Sequence, residues 1–215
     1  EHLTTPLGID APRPRFSWQV ADPRPGARQS AYEILVASTP SRLTPARADL
    51  WMSGVVRSDA TLEVPYAGTA LAPRRRYYWT VCLRDREGRP APCAPASWFE
   101  TGLMATPWQA KWIAADRAML DTIAHDPLDG DTASAAGRPP LLRKSIDLKV
   151  RPVRARIYAT ALGSYRLTID GVPVSRAVFT PDWTDYRDRV TYQTYDVTSL
   201  LRAGHHTLGV LLGAG

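Results

Sequence analysis

Leu71-Ala72-Pro73-Arg74-Arg75-Arg76-Tyr77-Tyr78-Trp79-Thr80-Val81 is the stretch that decides the fold. Its L-x-P-x-x-x-Y-x-x-x-V spacing is that of a tyrosine corner, in which a Tyr near the start of a sandwich strand turns its hydroxyl back onto upstream backbone. Tyr77, Trp79 and Val81 then alternate with Tyr78, Thr80 and Cys82, which predicts a strand with one core face. Upstream, Phe16-Ser17-Trp18-Gln19-Val20 and Ala31-Tyr32-Glu33-Ile34-Leu35-Val36 read as strands in the same way. Residues 1–104 are therefore expected to form one antiparallel sandwich.

The motif and its flanking strands resemble a fibronectin type III domain. The opening run from Pro6 to Arg15 holds Pro6, Pro12 and Pro14. Proline donates no backbone N–H, so this run is expected to pack over a sandwich edge rather than pair along its length. Cys82 and Cys93 flank the turn signal Asp85-Arg86-Glu87-Gly88. A bridge between them requires an oxidising compartment, and two cysteines fall far short of a disulfide framework, so the unbridged state is the expectation.

Between Met104 and Pro140 the periodicity lapses. Trp108-Gln109-Ala110-Lys111-Trp112-Ile113 forms a short apolar anchor, followed by a segment of Asp, Ala, Gly and Pro, and residues 105–137 are assigned as a linker. Asp116, Asp121, Asp126, Asp129 and Asp131 lie in it, but they lack the D-x-[DN]-x-[DN]-G order of a compact calcium loop and read as a solvated run. A second domain, 138–215, opens with Leu141 to Leu148. Asp170-Gly171 is a two-residue hairpin turn, because both positions tolerate positive φ, and it places Tyr165, Leu167 and Ile169 on one face. Asp196-Val197-Thr198-Ser199-Leu200-Leu201-Arg202-Ala203-Gly204 reads as a capped turn ending on Gly, and His205 to Leu212 as a returning strand. Consecutive His205 and His206 point to opposite faces, which is poor metal geometry, and both are expected to be solvated. The second fold is thus expected to be a jelly-roll-like, galactose-binding-like β-sandwich, and the whole chain all-β.

Thr180 to Thr198, TPDWTDYRDRVTYQTYDVT, narrows the context. Together with Leu141-Leu142-Arg143-Lys144, Leu162-Gly163-Ser164-Tyr165, Ile169-Asp170-Gly171 and Gly209-Val210-Leu211-Leu212-Gly213, in that order, it resembles the N-terminal, non-catalytic region of bacterial α-L-rhamnosidases, which remove terminal rhamnose from glycans and glycosides. One departure is Asp182, where the pattern has a small residue before the Trp. The resemblance implies that Trp108 and Trp112 join two sandwiches, packed at their interface. It also implies that the pattern runs on past Gly215, so the second sandwich is expected to be incomplete, with an open sheet edge beside Val210 and Leu212. A catalytic domain of the same protein is the implied partner.

Glycoside hydrolysis uses two carboxyl groups across the scissile bond, about 6.5 to 9.5 Å apart when configuration is inverted. In the resembled family, which inverts, both lie on a helical barrel C-terminal to the matched region, and this chain has no long helical periodicity. The chain is therefore expected to be non-catalytic. No Gly-rich phosphate loop, H-E-x-x-H, C-x-x-C or G-x-S-x-G occurs, and these are the local signatures of other chemistries. The 27 basic and 21 acidic residues give a net charge of +6. The arginines are scattered among acids and prolines instead of forming the stripe a nucleic acid needs, so no nucleic-acid partner is expected. No apolar run reaches the about 18 residues that would cross a bilayer, and no membrane partner is expected.

What remains is sugar binding. Aromatic faces hold the C–H surfaces of sugars, and planar polar groups hold their hydroxyls. Trp183, Asp185, Tyr186, Arg187 and Arg189 supply both within one unit, and a rhamnose-containing carbohydrate is the implied ligand. The structural alternative is the stronger expectation: Trp183 and Tyr186 plug the sandwich end while Asp185 pairs with Arg189. No cofactor is expected; calcium enters only through the resemblance, since some rhamnosidases carry a calcium-containing, rhamnose-binding jelly-roll module here. An independent carbohydrate-binding module and a fibronectin-like adhesion protein are the competing readings. An adhesion protein should repeat its sandwich, and the two halves share no pattern. Compartment, beyond a bacterial source, is not legible.

Overall fold

The computed structural model describes residues 3–115 and 139–213. The chain divides into two compact units, Glu1–Gln109 and Ala110–Gly215. The aspartates of the linker, Asp116 to Asp131, lie outside the described residues.

The first unit contains β1 (Arg15–Phe16), β2 (Ala31–Ala37), β3 (Trp51–Met52), β4 (Val64–Pro65), β5 (Arg76–Arg84) and β6 (Ser97–Glu100). An antiparallel sheet in the order β3-β2-β5-β6 packs on the two-stranded pair β1-β4. Their inner faces meet in one core of Phe16, Tyr32, Ile34, Val36, Val64, Tyr66, Leu71, Tyr77, Val81 and Phe99. The tyrosine corner forms as expected. The Tyr77 hydroxyl accepts a hydrogen bond from the Ala72 N–H at 2.8 Å. The buried Thr101 hydroxyl adds a second clamp, donating to the Ala72 carbonyl at 2.7 Å and accepting from the Arg75 N–H at 3.0 Å. On the other face of this corner Arg76 lies over the Trp98 ring, 3.7 Å from its centroid, and pairs with the buried Glu100 carboxylate at 3.3 Å.

Two expectations for this unit need correction. The strand read over Phe16–Val20 ends at Phe16, because the Ser17 hydroxyl, and not a strand carbonyl, takes the Glu63 N–H at 3.0 Å. Cys82 and Cys93 are bridged, with Cα atoms 4.0 Å apart. The Ala91 and Ala94 N–H groups donate to the Leu83 and Val81 carbonyls at 2.9 and 2.8 Å. That pairing lays the proline-rich return segment along β5 and sets the two cysteines opposite each other. The opening run, the leader, behaves as expected: it meets the sheet edge over a short stretch, where the Glu100 N–H donates to the Pro6 carbonyl at 2.9 Å and the Ile9 N–H to the Glu100 carbonyl at 3.0 Å.

The second unit contains β7 (Leu141–Leu148), β8 (Arg156–Ala159), β9 (Ser164–Ile169), β10 (Val172–Pro173), β11 (Gln193–Asp196) and β12 (Gly204–Gly213). The larger sheet runs β10-β9-β12-β7, and β11 pairs with β8. Asp170 (φ 50°) and Gly171 (φ 81°) make the turn between β9 and β10, with Ile169 opposite Val172. Tyr165, Leu167 and Ile169 face the core, against Tyr195, Val197 and Leu201. The Tyr165 and Tyr195 hydroxyls meet at 2.8 Å, tying the two sheets together inside the core. Val210 and Leu212 are not beside an open edge. They lie on β12, which pairs with β7 on one side and β9 on the other, and both pack on the core. The edges of this sheet are β7 and β10.

Trp108 and Trp112 are 44 % and 64 % exposed. Among the described residues no helix is long and apolar enough to cross a membrane, and no three His, Cys, Asp or Glu side chains converge as a metal site.

Candidate functional site

The loop from β10 to β11 carries every side chain singled out for sugar contact, and it is fastened to the core at both ends. Thr180 makes two reciprocal bonds with Tyr165 of β9: the Tyr165 N–H donates to the Thr180 carbonyl and the Thr180 hydroxyl to the Tyr165 carbonyl, each at 2.9 Å. Pro181, joined to Thr180 by a cis peptide, is fully buried, and its carbonyl accepts from the Gln193 amide at 2.7 Å. At the far end the Thr160 hydroxyl donates to the Thr191 carbonyl at 2.6 Å. Buried polar groups are satisfied by these bonds, so the loop has little freedom to reorganise.

Between the anchors lies Asp182, with φ 114°. Only glycine adopts that region without strain, which is the physical reason a small residue fits the pattern there. The Asp182 carboxylate accepts the next N–H, that of Trp183, at 2.8 Å. The indole of Trp183 is 74 % exposed. It is not a plug.

Tyr186 is half-buried, and its hydroxyl accepts from the buried Gly163 N–H at 2.8 Å. Asp185 pairs with Arg187 and not with Arg189. Its carboxylate accepts the Arg187 N–H at 3.0 Å and the guanidinium at 3.0 and 2.6 Å. Those guanidinium bonds hold the Asp185 carboxyl below its ordinary range and raise Arg187 in return. Arg189 is bound through its backbone: its N–H donates to the Asp185 carbonyl at 2.9 Å and its carbonyl accepts the Thr184 hydroxyl at 2.5 Å. Its side chain is exposed. The five residues are thus brought together on one braced loop in different roles: Asp185, Arg187 and Tyr186 hold its shape, while Trp183 and the Arg189 guanidinium face solvent.

Two features escaped sequence reasoning. Val178 and Phe179 are largely exposed, and Phe179 has φ 57°. Non-glycine residues at positive φ and exposed aromatics both concentrate at functional positions. A cavity of about 530 Å³ lies beside this part of the loop, lined by Phe179, Arg166, Arg176, Ser164 and Leu212 but not by Trp183. The second is His206, expected to be solvated and found 6 % exposed. The turn carboxylate of Asp170 lies 2.6 Å from its Nδ1, and the Arg202 carbonyl 3.0 Å from its Nε2. No local signal in the sequence gives this burial, since Asp170 comes beside Thr207 of β12 only when β9 and β12 pair.

Fold and loop together define an immunoglobulin-type sandwich followed by a second β-sandwich with a braced, aromatic-bearing loop. Residues 1–105 match the family of Rha78A-like, N-terminal immunoglobulin domains, and residues 150–215 match the alpha-L-rhamnosidase N-terminal domain family. Both sandwiches therefore match domains of the N-terminal region of alpha-L-rhamnosidases. The chain is 36 % identical over 218 residues to an alpha-L-rhamnosidase of Streptomyces avermitilis, covering 98 % of this chain and 21 % of that protein. A solved alpha-L-rhamnosidase from Dictyoglumus thermophilum superposes with a TM-score of 0.85 at 34 % identity, over 99 % of this chain and 24 % of that one. The Streptomyces avermitilis alpha-L-rhamnosidase structure complexed with L-rhamnose gives a TM-score of 0.52 at 31 % identity, over 99 % and 21 %. The chain spans about a fifth of the length of the curated relatives it matches.

Proposed function

We propose that this chain is the non-catalytic N-terminal part of an α-L-rhamnosidase, which releases terminal α-L-rhamnose from glycans or glycosides through a catalytic domain carried elsewhere in the same polypeptide. The observation that carries the reading is the ordered match of both sandwiches to one enzyme family across nearly the whole chain, against about a quarter or less of each solved rhamnosidase. Hydrolysis needs paired carboxyl groups facing one ligand; of the aspartates on the exposed loop of the second sandwich, Asp182 accepts the Trp183 N–H and Asp185 is locked to Arg187. The role left to these domains is scaffolding and recognition. The test is hydrolysis of an aryl α-L-rhamnoside by the 215-residue chain and by the complete protein. Turnover above background by the complete protein alone is expected, and comparable turnover by the chain would sink the reading.

The exposed Trp183 supports a finer role, sugar recognition at the loop. An indole held outward on a rigid loop offers a flat apolar face to the C–H side of a rhamnose ring, and the Arg189 guanidinium can reach its hydroxyls. The Streptomyces avermitilis relative was solved with L-rhamnose, which makes that sugar the first ligand to titrate.

A further inference from the structure

We propose that the first sandwich carries a saccharide-binding cleft of its own, lined by Phe16, Trp18 and Trp79 and edged by Arg15, Ser17 and Gln19. The cleft has a volume of about 470 Å³, within the range of small-molecule sites. Its origin lies in the leader. Pro6 and Ile9 bond to Glu100 at the edge of β6 rather than to β1, and Pro14 spends its carbonyl on the Tyr66 N–H at 2.9 Å. Among the described residues β1 pairs only with β4, and between its other side and Leu3, Thr4, Pro6 and Ile9 the aromatics of the sandwich line a cleft.

The rings there are fixed before any ligand arrives. Phe16 and Trp79 pack with centroids 4.7 Å apart, Trp18 stands edge-on to Tyr32 at 5.1 Å, and the Trp18 indole N–H donates to the Gln29 amide oxygen at 2.9 Å. Fixed aromatic faces bordered by hydroxyl, amide and guanidinium groups match a ring ligand with apolar C–H faces and hydroxyls at its periphery. Charge selects further. Arg15 is paired with Glu63 at 3.2 Å, so among the described residues lining the cleft no surplus positive charge favours a phosphate or a carboxylate. A neutral saccharide fits both conditions. The proposal takes from the rhamnosidase reading only the choice of sugars as probes.

The test is tryptophan-fluorescence and saturation-transfer NMR titration of the whole 215-residue chain with L-rhamnose, an aryl α-L-rhamnoside and cellobiose. Leu62, exposed at the mouth of the cleft, is changed in Leu62→Arg to obstruct it, and exposed Gln19 is shortened in Gln19→Ala. Neither removes a core side chain, and circular dichroism checks that both fold. Saturable binding of at least one probe is expected, weakened on the order of tenfold in both cleft variants. No saturable binding of any probe, or affinity untouched by both cleft variants, overturns the cleft. Loss in Trp183→Ala alone would move the binding to the second sandwich and likewise overturn it. Hydrolysis by the complete protein is scored separately, so failure of the cleft and failure of the enzyme reading are distinguishable.

Discussion

The Nδ1 of His206 lies 2.6 Å from a carboxylate oxygen of Asp170, joining the turn between β9 and β10 to the start of β12 through a buried ring. The other oxygen of Asp170 accepts the Thr207 N–H at 2.7 Å. On its far side Nε2 faces both the N–H and the carbonyl of Arg202, at 3.1 and 3.0 Å. A neutral ring with Nδ1 protonated accepts from the N–H, and a protonated ring donates to the carbonyl, so both charge states are accommodated without movement.

The Asp170 bond, then the Arg202 backbone, raises His206 above its ordinary value of 6.5. The Thr207 N–H, then His206, lowers Asp170 below 3.8. His205, paired with Asp147 at 3.1 Å, and the Arg202 side chain are the other charged groups nearby. A group whose folded pKa is raised stabilises fully below its unfolded pKa and loses that contribution as pH rises through the folded value; a lowered carboxylate loses its contribution as pH falls through its folded value. Both contributions therefore overlap between about pH 4 and 6.5. The melting-temperature gap between the native chain and Asp170→Asn should be widest there and narrow above neutrality. A gap independent of pH would remove His206 as its source.

Trp183→Ala should change stability by no more than about 0.5 kcal/mol, as for other exposed substitutions, where a buried plug would cost about 3 to 5. Tyr186→Phe should cost about 1 to 3 kcal/mol, because the buried Gly163 N–H then loses its acceptor. Urea melts of the two variants side by side check the contrast, which reverses if Trp183 is the anchor and Tyr186 the exposed ring.

Asp182→Gly should stabilise the chain by about 1 kcal/mol. Strain at positive φ costs of order 1 to 3 kcal/mol, whereas the exposed bond from Trp183 N–H to the Asp182 carboxylate is worth about 0.5 to 1.5. Strain relief wins on magnitude. A lower midpoint in the variant would mean that the carboxylate bond outweighs it.

Reduction of the Cys82–Cys93 bridge, or Cys82→Ser with Cys93→Ser, should cost about 2 to 3 kcal/mol, the chain-entropy estimate for a closed loop of this size. Thermal unfolding with and without reductant measures it. Thiol counting on the native chain under denaturing conditions should find no free thiol.

The elements carried by local rules were legible in the sequence. The tyrosine corner around Tyr77, the Asp170-Gly171 hairpin and the inward face of Tyr165, Leu167 and Ile169 each follow from spacing, turn chemistry or two-residue alternation, which depend only on neighbours along the chain. The departure at Asp182 was visible too, although its cause, a φ of 114°, was not. What distance along the chain conceals was decided by tertiary structure. Cys93 came opposite Cys82 through the register of Ala91 and Ala94 on β5, which three prolines had obscured. Asp185 chose Arg187 over Arg189 because a turn two residues long lets the carboxylate take both the backbone N–H and the guanidinium of one partner. Trp183 looked like a core residue from its size and became the most exposed ring among the five candidates. His206 looked like a solvated one and became buried, because Asp170, 36 residues earlier, arrives beside it only when β9 and β12 pair. Composition and periodicity determine which residues prefer to be inside; strand pairing determines which of them have a place there.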